Sequence, residues 1–154
     1  MLTDHTSTTA TIAISVTDIA DRILAATALR HLLDSNRPPL LHADHRDGLA
    51  RVVRSAFAEI CLRLAPHAID CELDGSDVLS VTLRLPASMA PALLRGIIER
   101  ALTADALAEA YRGADAAVSA GHAADYDSLT SALLRSLTDA TIADAPPSIR
   151  PHIY

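Results

Sequence analysis

His42 and His45 stand three residues apart in the run Leu41-His42-Ala43-Asp44-His45-Arg46-Asp47, with His31 a little upstream. Two imidazoles at i, i+3 on a helix can share a metal ion, with a carboxylate such as Asp44 or Asp47 as third ligand. The same run leads into a helix, where aspartates serve as caps and favour the positive end of the dipole, and no third ligand stands at a recognised spacing. The expectation is a chain with no metal and no other cofactor. A small metal-binding enzyme or sensor using His42 and His45 is the alternative.

Other catalytic chemistry finds little footing. The two cysteines, Cys61 and Cys71, fall on apolar stripes, so they read as inert core thiols in a reducing compartment. The sequence contains no Gly-x-Ser-x-Gly elbow and no glycine-rich phosphate loop. All 13 basic residues are Arg, which removes P-loop lysines and lysine Schiff bases. The 15 Asp and 4 Glu cluster at helix starts and turns, where capping accounts for them. The expectation is a protein that is not an enzyme.

Arg46, Arg51, Arg54 and Arg63 make one helix the most basic segment of the chain. Such a row is either a solvated face paired with Asp47 and Glu59 or a contact for an acidic partner or a nucleic-acid backbone. Arg51 and Arg54 are the interaction candidates. A net charge of −6 argues against an autonomous nucleic-acid-binding domain, which ordinarily carries a basic excess. An Arg-mediated adaptor is therefore a further alternative, with nucleic acid an indirect partner at most.

The elements that must position these groups follow from periodicity. Residues 1–9 are polar, Thr-rich and expected to fray. Ile12, Ile14 and Val16 alternate with small polar residues as a half-buried strand. Thr17 or Asp18 caps a first helix, with Ile19, Ile23, Ala26, Leu29 and Leu33 on its apolar stripe, stopped by Arg37-Pro38-Pro39. A second helix carries Leu49, Val52, Val53, Ala56, Phe57, Ile60, Cys61 and Leu64 on one face. Ile69, Cys71 and Leu73 alternate before the Asp74-Gly75-Ser76-Asp77 turn. Leu79, Val81, Leu83 and Leu85 alternate after it, completing a hairpin. Ser88 caps a long helix striped by Leu94, Ile97, Ala101, Ala104, Ala108 and Tyr111, broadened by Leu93, Ile98, Leu102 and Leu107, with Gly113 at its C′ position. A final helix, with Gly121 as a possible kink, runs from near Asp115 to Asp139 on a stripe of Ala116, Ala120, Ala123, Tyr126, Leu129, Leu133, Leu137 and Ala140.

These elements predict an α+β fold, mostly α: four helices, the last two an antiparallel hairpin, with a small three-stranded antiparallel sheet. A length of 154 residues fits one domain, spanning 10–144. No apolar run approaches the roughly 18 residues of a membrane span, and the start lacks a basic signal region, so a soluble, unsecreted product is expected.

Residues 145–154 read Ala-Pro-Pro-Ser-Ile-Arg-Pro-His-Ile-Tyr, an extended Pro-rich tail. Ile149, Arg150, Ile153 and Tyr154 are its interaction candidates, since Tyr and Arg are enriched at interfaces. Docking on a neighbouring subunit, folding back on its own domain, and disorder all stay open for this segment.

The order of parts invites comparison: a strand into a helix, the helix Ala50-Arg51-Val52-Val53-Arg54-Ser55-Ala56-Phe57-Ala58-Glu59-Ile60, a hairpin ending Leu83-Arg84-Leu85-Pro86, then paired helices and a Pro-rich tail. The whole chain resembles small proteins encoded in the virion-assembly regions of phages and prophages of Bacteroidales, of the head–tail connector, neck or tail-completion type. The resemblance rests on this pattern and not on a diagnostic motif. It implies a structural subunit of a homo-oligomeric ring that meets portal or tail components, in the virion or in the host cytoplasm before assembly. The single Arg150 departs from the more basic tails of that group.

Overall fold

The computed structural model describes residues 8–34, 40–75 and 77–143, with backbone alone for 140–143. The elements run β1 (Thr8–Ser15), α1 (Val16–Leu33), a 3-10 turn (Ala43–His45), α2 (Arg46–Arg63), β2 (Ala68–Glu72), β3 (Val78–Leu85), α3 (Pro91–Tyr111) and α4 (Ala116–Ala143). The fold is α+β, mostly α, as the patterning predicts. The two stretches expected to lack regular structure, 1–9 and 145–154, lie outside the described residues except for Thr8 and Thr9, which already belong to β1.

The sheet is antiparallel throughout with order β1-β3-β2. Residues Ile12 and Ile14 of β1 and Leu79, Val81, Leu83 and Leu85 of β3 are buried on one face. The opposite face carries Thr9, Thr11, Ala13, Ser80 and Thr82, small residues that make no core, with a Thr11–Thr82 hydroxyl hydrogen bond of 2.9 Å across it. The strictly alternating pattern expected for β2 fails at its start. The register slips between Ala68 and Asp70, so Ala68 sits opposite Leu83 and Ile69 is turned half into solvent. A bulge adds one residue and reverses the faces before it.

The helices cover the buried face. Among them Phe57, Ile60, Leu64, Leu94, Ile98 and Leu102 are essentially fully buried. α3 and α4 form the antiparallel hairpin, joined through bonds from the Ala114 and Asp115 N–H groups to the Tyr111 carbonyl. Asp115 caps α4 by accepting from the Val118 N–H at 3.1 Å. Gly113 has no positive φ, so the expected left-handed C′ glycine gives way to this tight turn. Gly121 sits inside an unbroken α4.

Several caps differ from expectation, and of these only that of α1 bonds through its side chain. Ser15, not Thr17 or Asp18, caps α1. α3 begins at Pro91 behind Ala90, because proline is preorganised for the first helical position, and Ser88 lies outside it. α2 follows the 3-10 turn, with His45 and neither aspartate at its N-cap.

Asp77 ties the sheet to α1. Its carboxylate accepts the Ser15 hydroxyl at 2.8 Å and the Thr17 N–H at 2.9 Å, and its carbonyl accepts the Val16 N–H at 2.8 Å. Gly75 in the same turn has no room for a side chain, since a Cβ there would lie 2.0 Å from the Val78 carbonyl oxygen.

Candidate interaction surfaces

The two histidines meet, but as a capping arrangement. His45 Nδ1 accepts the His42 backbone N–H at 2.9 Å, and the rings stack with centroids 5.9 Å apart. That bond occupies one of the two nitrogens through which His45 could bind a metal. Among the described residues no group of three or more His, Cys, Asp or Glu side chains is placed to hold an ion.

The arginine row is divided by the fold. Arg46 pairs with Asp21 of α1 at 2.6 Å, and Arg63 pairs with Glu59 at 2.9 Å while lying over the Tyr126 ring at 5.6 Å. Arg54 reaches the hairpin turn, its Nη1 donating to the Gly75 carbonyl at 2.8 Å. It ties α2 to the turn between β2 and β3 and is half-buried, a place the helical spacing did not indicate. Arg51 is exposed beside a groove of about 550 Å³ that also takes in Asp44, Asp47 and Glu109. Acidic neighbours on this rim make it a poor seat for a phosphate backbone. The tail candidates Ile149, Arg150, Ile153 and Tyr154 lie outside the described residues.

A second groove, about 440 Å³, runs between α3 and α4 under Arg22, with Arg100, His122 and Asp125 along it. Here Glu99 joins α1 to α3, accepting from Arg22 at 2.8 Å and from Arg95 at 2.9 Å. Partial burial opposes its charge, and the hydrogen bonds from the two arginines outweigh that, leaving the carboxyl below its ordinary range. At the closed end of the helical hairpin, Arg30 lies over Tyr111 at 5.2 Å and pairs with Asp115 at 3.7 Å. These contacts place the C-terminal end of α1 beside the α3–α4 turn.

That end of α1 carries the surface that sequence reasoning missed. Leu29, Leu32 and Leu33 are 59%, 76% and 81% exposed, at i, i+3, i+4 spacing on one side of the helix. Leu29 and Leu33 were expected on the core stripe. In the fold the core stripe is Ile19, Ala20, Ile23 and Thr27, and at the C-terminal end of α1 it is Arg30, and not the leucines, that meets the α3–α4 turn. The signal available in the sequence was an excess of leucine: three in the last five residues of the helix exceed what one core-facing stripe needs. Contiguous exposed leucines on a folded domain mark an interaction surface more often than scattered ones do.

No protein-family model, curated protein or solved structure matches the chain. Among the described residues no helix is long and apolar enough to cross a membrane.

Proposed function

We propose that this chain is a non-enzymatic assembly subunit, of the head–tail connector, neck or tail-completion kind that its order of elements resembles. It works through contacts with further copies of itself and with other virion proteins such as portal or tail components. The observation that carries the reading is the leucine surface on α1, Leu29, Leu32 and Leu33, which the domain leaves in solvent. An apolar patch of this kind is stabilised when a partner covers it.

The tail supplies a complementary segment, with Ile149 between prolines and Ile153 and Tyr154 after the last of them. Reach supports service to another copy. α4 has 28 residues, so Ala143 lies roughly 42 Å along the helix from the Asp115 end, where the leucines are. Six residue-to-residue steps lead from Ala143 to Ile149, a span of about 20 Å at most. In the proposed arrangement Ile149 meets the leucines of another copy, and tail exchange of this kind builds rings or chains of subunits.

Two variants test this. Deleting residues 146–154, and separately changing Leu29, Leu32 and Leu33 to Ser, should each weaken association with other copies or with the virion proteins encoded alongside. Thermal unfolding of both should remain cooperative. Unchanged association in both variants overturns the reading.

A further inference from the structure

The two edges of the sheet are finished differently. β2 has 5 residues, a bulge after Ala68, and the exposed acids Asp70 and Glu72. Shortness, bulges and charge are the means by which an edge refuses another strand. β1 has none of them. Its 8 residues, Thr-Thr-Ala-Thr-Ile-Ala-Ile-Ser, contain no charge and no proline, and their register with β3 is unbroken from Thr8–Leu85 to Ser15–Val78.

The direction of its free backbone groups follows from one bond. The Val16 N–H reaches the Asp77 carbonyl, on the β3 side. Backbone groups alternate along a strand, so Ile14, Ile12 and Ala10 also bond towards β3, while Thr9, Thr11 and Ala13 present N–H and C=O outwards. Among the described residues no backbone hydrogen bond reaches these three outward positions. Their side chains lie on the solvent face and are small.

The geometry points to β1 as a pairing edge for β1 of a second copy, antiparallel across a two-fold axis, joining two sheets into one of six strands. With Thr11 opposite its own counterpart, Thr9 falls opposite Ala13 of the other copy and Ala13 opposite Thr9. All three pairs then have their backbone groups facing each other, as an antiparallel ladder requires. Charge selects the same place. The chain carries −6 overall, so two copies repel, and β1 holds none of the 19 acidic residues. The inference stands apart from the leucine surface and does not depend on it.

Sedimentation equilibrium of the full chain across a wide concentration range tests the pairing, with three variants at Thr11. Thr11→Pro removes an outward donor while leaving the bonds to β3 in place. Thr11→Lys sets like charges against each other on the two-fold axis, and mixing it with Thr11→Glu restores opposite charges there. With serine at Leu29, Leu32 and Leu33, which removes tail exchange, the expected result is a dimer, dissociation at least about tenfold easier in the Pro and Lys variants, and recovery in the Lys/Glu mixture. Circular dichroism confirms that each variant is folded, and the Lys variant serves alone if the Pro variant is not. A wild type that stays monomeric throughout, or a dimer as tight in the folded Thr11 variants, overturns the inference. Serine at Leu29, Leu32 and Leu33 should leave this dimer intact.

Discussion

Thr17 donates both its backbone N–H, at 2.9 Å, and its hydroxyl to a single oxygen of Asp77, Oδ1. The other oxygen takes the Ser15 hydroxyl. One carboxylate just before β3 therefore fixes the point where β1 turns into α1, through Ser15 and Thr17, two residues that are far from it in sequence but meet it through the β1–β3 register. The Thr17 hydroxyl, then the Ser15 hydroxyl and the Thr17 N–H, hold the Asp77 carboxyl below its ordinary range.

A depressed carboxyl value makes a definite pH prediction. The charged form is the one the fold prefers, so its contribution is complete above the unfolded value of roughly 3.9 and disappears as pH falls through the lower folded value. Asp77→Asn should melt at a lower temperature than wild type at pH 7, and the gap should narrow steadily below pH 4 or so. Melting curves of both proteins from neutral to acid pH check this. A gap that stays constant would place the effect in shape and not in charge.

Arg51 and Arg54 look equivalent in sequence and should behave differently. Arg54 donates to the Gly75 carbonyl at 2.8 Å in a turn whose glycine cannot be replaced without movement. Arg54→Ala should cost about 1–2 kcal/mol, the usual range for a partly exposed charged donor. Arg51 is exposed, and Arg51→Ala should change stability by less than about 0.5 kcal/mol. Urea denaturation of the two variants separates the roles. Equal losses would mean that the turn is held by something other than Arg54.

Much of this fold is legible in the chain because burial on one side leaves a period. The α2 stripe from Leu49 to Leu64 is buried as read, apart from a half-buried Val52, and so is the β3 alternation. Reading fails where burial is partial or the residue is too small to declare a side. Helical spacing puts Ala116, Ala120 and Ala123 on the core stripe of α4, yet they are exposed, and the half-buried residues of those turns are Val118, Ser119 and His122. An alanine-rich helix fits either face, so tertiary contacts choose the side. The leucines of α1 misled in the opposite sense, since an apolar residue at helical spacing does not say whether its neighbour is in the same chain. The hydrogen bonds of Arg54 and Asp77 reach across turns and strand registers, which no local spacing encodes.

The two cysteines share an environment that their separation of ten residues conceals. Cys61 on α2 is buried, Cys71 on β2 is partly exposed, and both are free. Burial, then a hydrogen bond and charge interaction with Cys71, pushes the Cys61 thiol up to about 12. Since the thiolate is the reactive form, iodoacetamide at pH 8 should modify Cys71 well before Cys61, and Cys61 should become reactive on addition of denaturant. Peptide mass spectrometry over a labelling time course distinguishes the sites. Equal rates in the native protein would show that the α2–β2 contact opens readily.

Phe57 and Leu32 give the sharpest contrast between an apolar residue that holds the domain together and one that the domain leaves over. Phe57 is 0% exposed at the centre of the core, and Leu32 is 76% exposed near the end of α1. Removing a buried aromatic ring loses its transfer free energy and leaves a cavity, so Phe57→Ala should cost about 3–5 kcal/mol. Leu32→Ala removes surface that water already touches, and it should change stability by no more than about 0.5 kcal/mol. Both follow from urea midpoints at constant slope. The second value matters more for function. If Leu32→Ala destabilised the isolated chain by several times that amount, the α1 leucines would be covered within the monomer, and the surface on which the assembly reading rests would be lost. If stability is unchanged while association falls, the leucines act between molecules, as their exposure requires.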